Sequence, residues 1–112
     1  KFVVTTADFH DRMIAYTSQM CHVVSNAFIK SPSAKFHRGY SAGSFRDFTR
    51  VSRLNEDMWT ELFLENKEAL LNELDLLINS LREYREAIVH DDADTLRALL
   101  RDGRIAKEEA EK

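Results

Sequence analysis

The scarcity of several residue types narrows the structural class of this chain of 112 residues. It contains one proline and three glycines, so few turns are obligatory and long helices are favoured over many short strands. Its single cysteine, Cys21, cannot form an internal disulfide, and such cysteine usage fits a reducing compartment. We therefore expect an all-α domain that resides in the cytoplasm.

Other absences limit the kinds of partner. No apolar run approaches the roughly 20 residues that a membrane-spanning helix needs, and the net charge of −3 argues against a general nucleic-acid binder. The chain has neither an HExxH pair nor a Cys/His cluster with metal-ligand spacing. We expect no membrane, nucleic-acid or metal partner. Residues 1–6 lack both an initiator methionine and a signal peptide, and we interpret them as the cut end of a longer chain, with processing or tag removal as alternatives.

Apolar spacing predicts helices over most of the chain. The first spans about residues 6–29, with Thr6 and Asp8 as alternative N-terminal caps, and a loop over residues 30–43 follows. A short helix covers residues 44–53. Asn55 is placed to cap the next helix, and Asn66 to cap a long one that follows it. The last helix begins after an acidic joint at residues 91–94, and the charged tail from residue 107 is expected to fray.

The long helix has more apolar surface than so small a chain can cover by itself. Its apolar positions recur over more than five turns, and the last helix adds another apolar stripe. Self-association through these two helices is therefore expected.

Two helical faces are candidates for binding. Ser18 and His22 lie one turn apart and project a hydroxyl and an imidazole from one face, which favours hydrogen bonding to an anionic or carbonyl group. The alternative, favoured by spacing alone, is a solvated face with a partly buried and satisfied histidine. Cys21 lies on the apolar stripe and is predicted to be in the core. Trp59 is also predicted to be core rather than ligand-stacking.

The short helix carries Arg46, Arg50 and Arg53 on one side. A guanidinium offers a planar fork to a carboxylate or phosphate, so this side is a candidate anion site. The alternative, again favoured by spacing alone, is a solvated face whose arginines pair with acidic neighbours such as Asp47. No glycine-rich phosphate loop follows a predicted strand, so we expect no nucleotide site within this chain.

Three stretches together resemble the prephenate dehydrogenase family. Residues 10–22 resemble a pattern of His-Asp, a spacer, Ala, and Ser-His-Leu-Pro-His, although Gln19 replaces the first histidine of its last part and Cys21 replaces the proline. Residues 43–50 resemble Gly-Phe-Arg/Lys-Asp-Phe-Thr-Arg, with Ser41-Ala42 where glycines are frequent. Residues 58–68 resemble Met-Trp, an acidic-apolar stretch, and Asn-Arg/Lys-Glu. The match covers about residues 9–88, in order and with fitting spacing.

The resemblance implies a division of labour between two domains. Residues 1–112 correspond to the helical C-terminal domain, which binds substrate and intertwines with a second copy to form a homodimer. An N-terminal dinucleotide-binding domain, absent here, binds NAD or NADP and carries the family's catalytic histidine, so the isolated chain is expected to be inactive. Such enzymes oxidise prephenate to 4-hydroxyphenylpyruvate and carbon dioxide on the path to tyrosine. Arogenate dehydrogenase and a helical dimerisation module without a ligand site remain alternatives.

The resemblance also implies roles for six residues. Arg50 matches an arginine that binds a substrate carboxylate, and Ser18 and His22 match polar residues that line the substrate pocket. Trp59 matches a tryptophan near that pocket, while Asp47 and Gly43 match positions around its mouth. Convergence of Ser18, His22 and Arg50 on one cleft would distinguish a binding site from a plain dimerisation module.

Overall fold

The computed structural model describes residues 6–112, and these residues contain six α-helices and no β-strand. Residues 1–5, which include most of the predicted cut end, lie outside the described residues. A π-helical turn, Ala15–Gln19, joins the first two helices, and 3-10 turns cover Pro32–Phe36 and Arg50–Ser52. The helices are α1 Ala7–Ile14, α2 Met20–Phe28, α3 Gly43–Thr49, α4 Glu56–Glu65, α5 Lys67–Val89 and α6 Ala93–Ala110.

Local capping explains where three of these helices begin. The side chain of Thr6, rather than that of Asp8, accepts the free N–H of Phe9 at the start of α1. Asn55 accepts the N–H of Met58 at α4, and Asp92 caps α6 in the same way. Each cap satisfies a backbone donor that the first helical turn leaves without a partner, which confirms the predicted starts.

The predicted first helix differs from a continuous α-helix at its centre. Over Ala15–Gln19 the backbone widens, so that the N–H of Met20 donates to the carbonyl of Ala15, five residues earlier. The hydroxyl of Thr17 donates to the carbonyl of Met13 at 2.7 Å and so occupies an acceptor at the widened turn. Such π-turns are rare and occur mostly as single turns within α-helices, frequently at functional sites.

The described residues form two units, residues 6–74 and 75–112. Among residues 6–74, the buried apolar side chains are few, namely those of Ala15, Met20 and Leu70. Aromatic contacts add to them, because Phe28 meets Phe48 edge-on with ring centroids 4.8 Å apart. This contact packs α2 against α3, the helix that begins the arginine-bearing segment of residues 43–53 (hereafter the arginine helix).

The first unit also buries an acidic side chain. Glu73 is 7% exposed, and its carboxylate lies 3.7 Å from the guanidinium of Arg12 on α1. Since a buried carboxylate is costly without a partner, this ion pair ties α1 to the start of α5.

In the second unit, the end of α5 and α6 form a helical hairpin. The chain turns at Asp91, whose φ of 52° is in the left-handed region, and the hydroxyl of Tyr84 donates to the carbonyl of Leu99 at 3.4 Å. The predicted fraying from residue 107 is wrong, because α6 continues to Ala110 with the pairs Arg104–Glu108 and Lys107–Glu111 along its surface.

Most apolar side chains of the second unit remain exposed within the single chain. Ala87 is its one buried hydrophobic residue, whereas large side chains on both helices face outward. These are Leu76, Ile78, Leu81, Ile88, Val89, Leu100 and Ile105. So extensive an exposed apolar surface is typical of an interaction site. Among residues 6–112, no helix is both long and apolar enough to cross a membrane.

Candidate functional site

A groove rich in positive charge lies between the long loop and the arginine helix. Five cationic side chains line it together with one carboxylate, that of Asp47; the cations are those of Lys35, Arg38, Arg46, Arg50 and Arg53. We call it the basic groove. The ion pairs formed within residues 6–112 involve none of these five side chains. The pairing with acidic neighbours that the alternative included is absent from the described residues of the single chain, whereas Arg46, Arg50 and Arg53 are exposed, as a solvated face requires. A groove with this excess of positive charge suits an anionic ligand.

The loop side of the basic groove has a defined structure. His37 stacks on Phe45 of α3 with ring centroids 5.0 Å apart, and its Nδ1 lies 2.9 Å from the hydroxyl oxygen of Ser41. Gly39 follows with a φ of 89°, a conformation that side chains other than glycine rarely adopt. These features hold Lys35 and Arg38 near α3 although they belong to the loop.

A second pocket adjoins the basic groove, and aromatic rings form its wall. His22 of α2 stacks on Trp59 of α4, with ring centroids 4.0 Å apart and planes inclined by 23°, and Trp59 in turn meets Phe63. We call it the aromatic pocket. Ser52 and Arg53 line both pockets, so the two are neighbours. Trp59 is half-buried, which places it in a pocket wall rather than wholly in the core as predicted.

The orientation of the His22 ring follows from its partner. Its Nδ1 lies 2.8 Å from the backbone carbonyl of Ser18, and since a carbonyl oxygen only accepts, Nδ1 carries the proton. In the neutral imidazole, Nε2 is then a hydrogen-bond acceptor. The predicted donation by His22 to a ligand therefore requires the protonated ring, whereas the neutral ring accepts from a hydroxyl. His22 also matches the alternative of a half-buried, satisfied histidine.

Two polar side chains of α2 attach the arginine helix. The hydroxyl of Ser25, which is 1% exposed, donates to the carbonyl of Phe48 at 2.7 Å. The amide of Asn26 donates to the carbonyl of Ser52 at 2.9 Å. These two carbonyls flank Arg50 on both sides, so the contacts fix the backbone from which Arg50 enters the basic groove. Spacing did not distinguish Ser25 from other small residues of α2.

The six predicted site residues do not all line one pocket. Asp47 and Arg50 line the basic groove, and His22 and Trp59 line the aromatic pocket, whereas Ser18 and Gly43 line neither. Ser18 is one turn before His22 and reaches it through its backbone carbonyl. Gly43 begins α3, and a Cβ there would meet no atom within 4 Å. Convergence of the full set on one ligand stays a prediction.

Two other predictions about individual residues are corrected. Cys21, predicted to be core, is exposed, because the widened turn before it changes the face on which residues 20–28 lie. Asn66 does not cap α5 through its side chain; its amide donates instead to the carbonyl of Asp11 and to the side-chain oxygen of Gln19, each at 2.9 Å. Across residues 6–112, no three His, Cys, Asp or Glu side chains are grouped so as to hold a metal ion.

Comparison with known proteins connects this geometry to a family. Residues 6–102 match the model of the family described as prephenate dehydrogenase, dimerization domain. The chain belongs to this family. Cyclohexadienyl dehydrogenase from Zymomonas mobilis is 39% identical over 97 residues, covering 81% of this chain and 33% of the relative. Prephenate dehydrogenase from Bacillus subtilis is 26% identical over 100 residues, covering 85% and 27% respectively.

Solved structures agree with this membership of the prephenate dehydrogenase dimerization-domain family. Arogenate dehydrogenase from Synechocystis superposes with a TM-score of 0.85 at 25% identity, covering 98% of this chain and 42% of that one. Prephenate dehydrogenase from A. aeolicus, in complex with hydroxyphenyl propionate and NAD+, gives 0.78 at 28% identity, covering 95% and 39%. The all-α class is thereby confirmed. The chain spans about a third of the length of the curated relatives that it matches.

Proposed function

We propose that this chain is the substrate-binding and dimerisation domain of an NAD(P)-dependent prephenate dehydrogenase. The observation that carries the proposal is the basic groove, where five cations and a single carboxylate face open space. Prephenate is a dicarboxylate, and paired guanidinium forks bind carboxylates with charge-assisted hydrogen bonds. In this proposal Arg50 binds one carboxylate, and His22 with Trp59 lines the adjoining wall for the rest of the substrate.

We also propose that a preceding domain holds the cofactor. Residues 6–112 contain no β-strand and therefore lack the strand, glycine-rich loop and helix that bind a dinucleotide pyrophosphate, so they do not fit that group. The cofactor held by that preceding domain would supply the hydride acceptor for this oxidation. This chain by itself should not oxidise prephenate. Measurable NAD(P)-dependent oxidation by the isolated chain would contradict the proposal. We propose a cytoplasmic location for the protein as well.

The carboxylate role of Arg50 is tested in the protein that includes the preceding domain. Arg50→Ala should raise the KM for prephenate about 10- to 100-fold, because a charge-assisted hydrogen bond contributes roughly 1.5–3 kcal/mol. The KM for NAD(P) should change little, and Arg50→Lys should recover only part of the loss. Arg97→Ala, which removes an exposed arginine of α6 paired with Asp94, is the control. Equal effects on both KM values would contradict the role.

Arogenate is the alternative substrate, and a structural neighbour from Synechocystis carries that activity in its name. Arogenate has an amine where prephenate has a side-chain ketone, so its ammonium would enter a groove in which cations outnumber carboxylates five to one. Like charges in one groove repel, which favours prephenate. The comparison of kcat/KM for the two substrates decides between them, and a higher value for arogenate would reverse this assignment.

A second copy of this chain is the proposed partner of the second unit. The matching family is described as a dimerization domain. In the single chain, Leu81 and Ile88 on α5 are 56% and 62% exposed. They are seven residues apart and therefore share one helical face. Full burial of such a side chain contributes about 1.5–3 kcal/mol, so Leu81→Asp with Ile88→Asp should shift the protein towards monomer in sedimentation velocity. Asn79→Asp, an exposed polar position on the same helix, should leave the dimer intact; an unchanged double variant would refute this surface.

A further inference from the structure

The stack between His22 and Trp59 joins two helices, α2 and α4, and its geometry depends on how these helices are held. His22 lies three residues after Gln19, and Trp59 lies three residues before Leu62. The side-chain amide of Gln19 donates to the backbone carbonyl of Leu62 at 3.2 Å. One hydrogen bond thus joins the two helices a single turn away from the stack on both of them.

Gln19 is buried and has both ends of its amide satisfied. Only 6% of the residue is exposed, and while its nitrogen donates to Leu62, its oxygen accepts from the Asn66 amide at 2.9 Å. A buried amide with every polar atom engaged has one orientation, since turning it would place two donors or two acceptors face to face. The paired amides therefore fix the position of Gln19 relative to Leu62 and Asn66, rather than merely filling space.

Asn66 extends this contact to the other side of the widened turn. Its amide nitrogen also lies 2.9 Å from the carbonyl of Asp11, four residues before Ala15, where the π-turn begins. Gln19 is the last residue of that turn. The two amides consequently brace the π-turn at both ends, and a side chain inserted beside the backbone ladder is a recognised cause of such irregularities.

The π-turn decides where His22 faces. A π-turn accommodates one residue more than an α-turn, and one residue corresponds to about 100° of rotation around a helix. Regularising the turn would therefore rotate all of α2 relative to α1. The imidazole would then leave the indole of Trp59, and Ser25 would leave the carbonyl of Phe48.

From these contacts we propose that Gln19 and Asn66 are positioning residues for the His22–Trp59 stack. Their paired amides brace the π-turn and hold α4 against α2, so that the imidazole lies over the indole in the aromatic pocket. The effect on substrate rests on the function proposed above, whereas the effect on the stack does not. Neither residue touches the substrate in this proposal.

The test uses the protein that includes the preceding domain, with Gln19→Leu as the main variant. Leucine is of similar size, and the carbonyl of Leu62 keeps a second donor, the N–H of Asn66 at 3.3 Å, so the fold should survive. The first readout is the ¹H NMR signal of the His22 ring in histidine-labelled protein, assigned with His22→Gln. Protons over an indole face are shifted upfield, and Gln19→Leu should abolish most of that shift.

Kinetics provide the second readout. Gln19→Leu should raise the KM for prephenate about tenfold with a smaller change in kcat, since one net hydrogen bond is worth up to about that factor. Gln19→His should restore both readouts, because an imidazole offers one donor and one acceptor to the same partners. Asn72→Ala, at an exposed amide on α5, should change neither.

The possible results distinguish a failure of the positioning role from a failure of the proposed substrate-binding function. If Gln19→Leu leaves the His22 ring shift at its original value, the positioning role is refuted whatever the kinetics. If the ring shift is lost in Gln19→His as well as in Gln19→Leu, that result also contradicts the proposed role of the amide pair. If instead the ring shift is lost while the KM for prephenate is unchanged, the positioning role stands and the proposed place of the aromatic pocket in substrate binding falls.

Discussion

Replacing Ser25 by alanine removes one buried hydrogen bond and tests how α2 supports the arginine helix. The Ser25 hydroxyl is 1% exposed and donates to the carbonyl of Phe48 at 2.7 Å. Loss of the hydroxyl removes this donor from the carbonyl of Phe48, in a contact whose serine side is almost fully buried. We expect Ser25→Ala to lower the free energy of unfolding by about 1–3 kcal/mol, the cost of leaving a buried polar group unsatisfied.

The functional consequence follows from the position of the bond. Phe48 lies two residues before Arg50, and the second bond, from Asn26 to the carbonyl of Ser52, lies two residues after it. Weakening either attachment loosens the backbone that carries the guanidinium, so the KM for prephenate should rise while the KM for NAD(P) does not. Because both bonds hold one segment, the effects of Ser25→Ala and Asn26→Ala should be non-additive.

Urea unfolding and steady-state kinetics on the same samples provide the assay. Ser33→Ala, at an exposed serine of the loop, is the control and should stay within about 0.5 kcal/mol of the wild type. The reasoning is refuted if Ser25→Ala matches this control in stability and in the KM for prephenate. Additive effects of the two α2 variants would also show that Ser25 and Asn26 support Arg50 independently.

Three further predictions concern stability. A hydrogen bond from the Thr95 hydroxyl, and then one from its backbone N–H, holds the pKa of Asp92 below its ordinary value near 3.8. This stabilisation is present at pH values above the ordinary pKa of the unfolded chain. It is lost as the pH falls through the lowered pKa of Asp92 in the folded chain. The stability difference between wild type and Asp92→Asn in urea titrations should therefore shrink in acid, and a constant difference would contradict it. Arg12→Ala should destabilise by about 1 kcal/mol, because Glu73 loses its partner while Arg12 itself is largely exposed; a more stable variant would show that the pair is unfavourable. Gly43→Ala should leave the urea midpoint unchanged or slightly raised, since a Cβ there meets no atom within 4 Å, and a lowered midpoint would mean that glycine is required for folding.

Helix positions and their starts were predictable because their causes lie close together in the chain. Asn55 and Asp92 each satisfy an N–H three residues ahead, so the cap and its partner are visible in one short window. The apolar periodicity of α5 is local in the same sense. Fraying after residue 107 was predicted wrongly, because charged side chains one turn apart pair along α6 and suit a solvated helix.

The resemblance to the family predicted more of the candidate site residues than helical spacing did. Spacing alone gave His22 and Arg50 no preference over solvated side chains, whereas three ordered motifs matched a family that the comparison then showed. The same motifs gave no role to Gln19, which departs from them. Its role emerges from partners at residues 62 and 66, more than 40 positions away in the chain.

The sequence by itself determined the helical class, the order of the helices and the excess of arginine over residues 46–53, since periodicity, caps and charge are local properties. Only the tertiary structure decided which faces meet. The π-turn at residues 15–19 rotates α2, so Cys21 is exposed, His22 meets Trp59 and Ser25 meets the carbonyl of Phe48. The physical reason is that a π-turn is locally less favourable than a regular α-helical turn and is stabilised by hydrogen bonds from residues far away in the chain. No short window of sequence contains these partners.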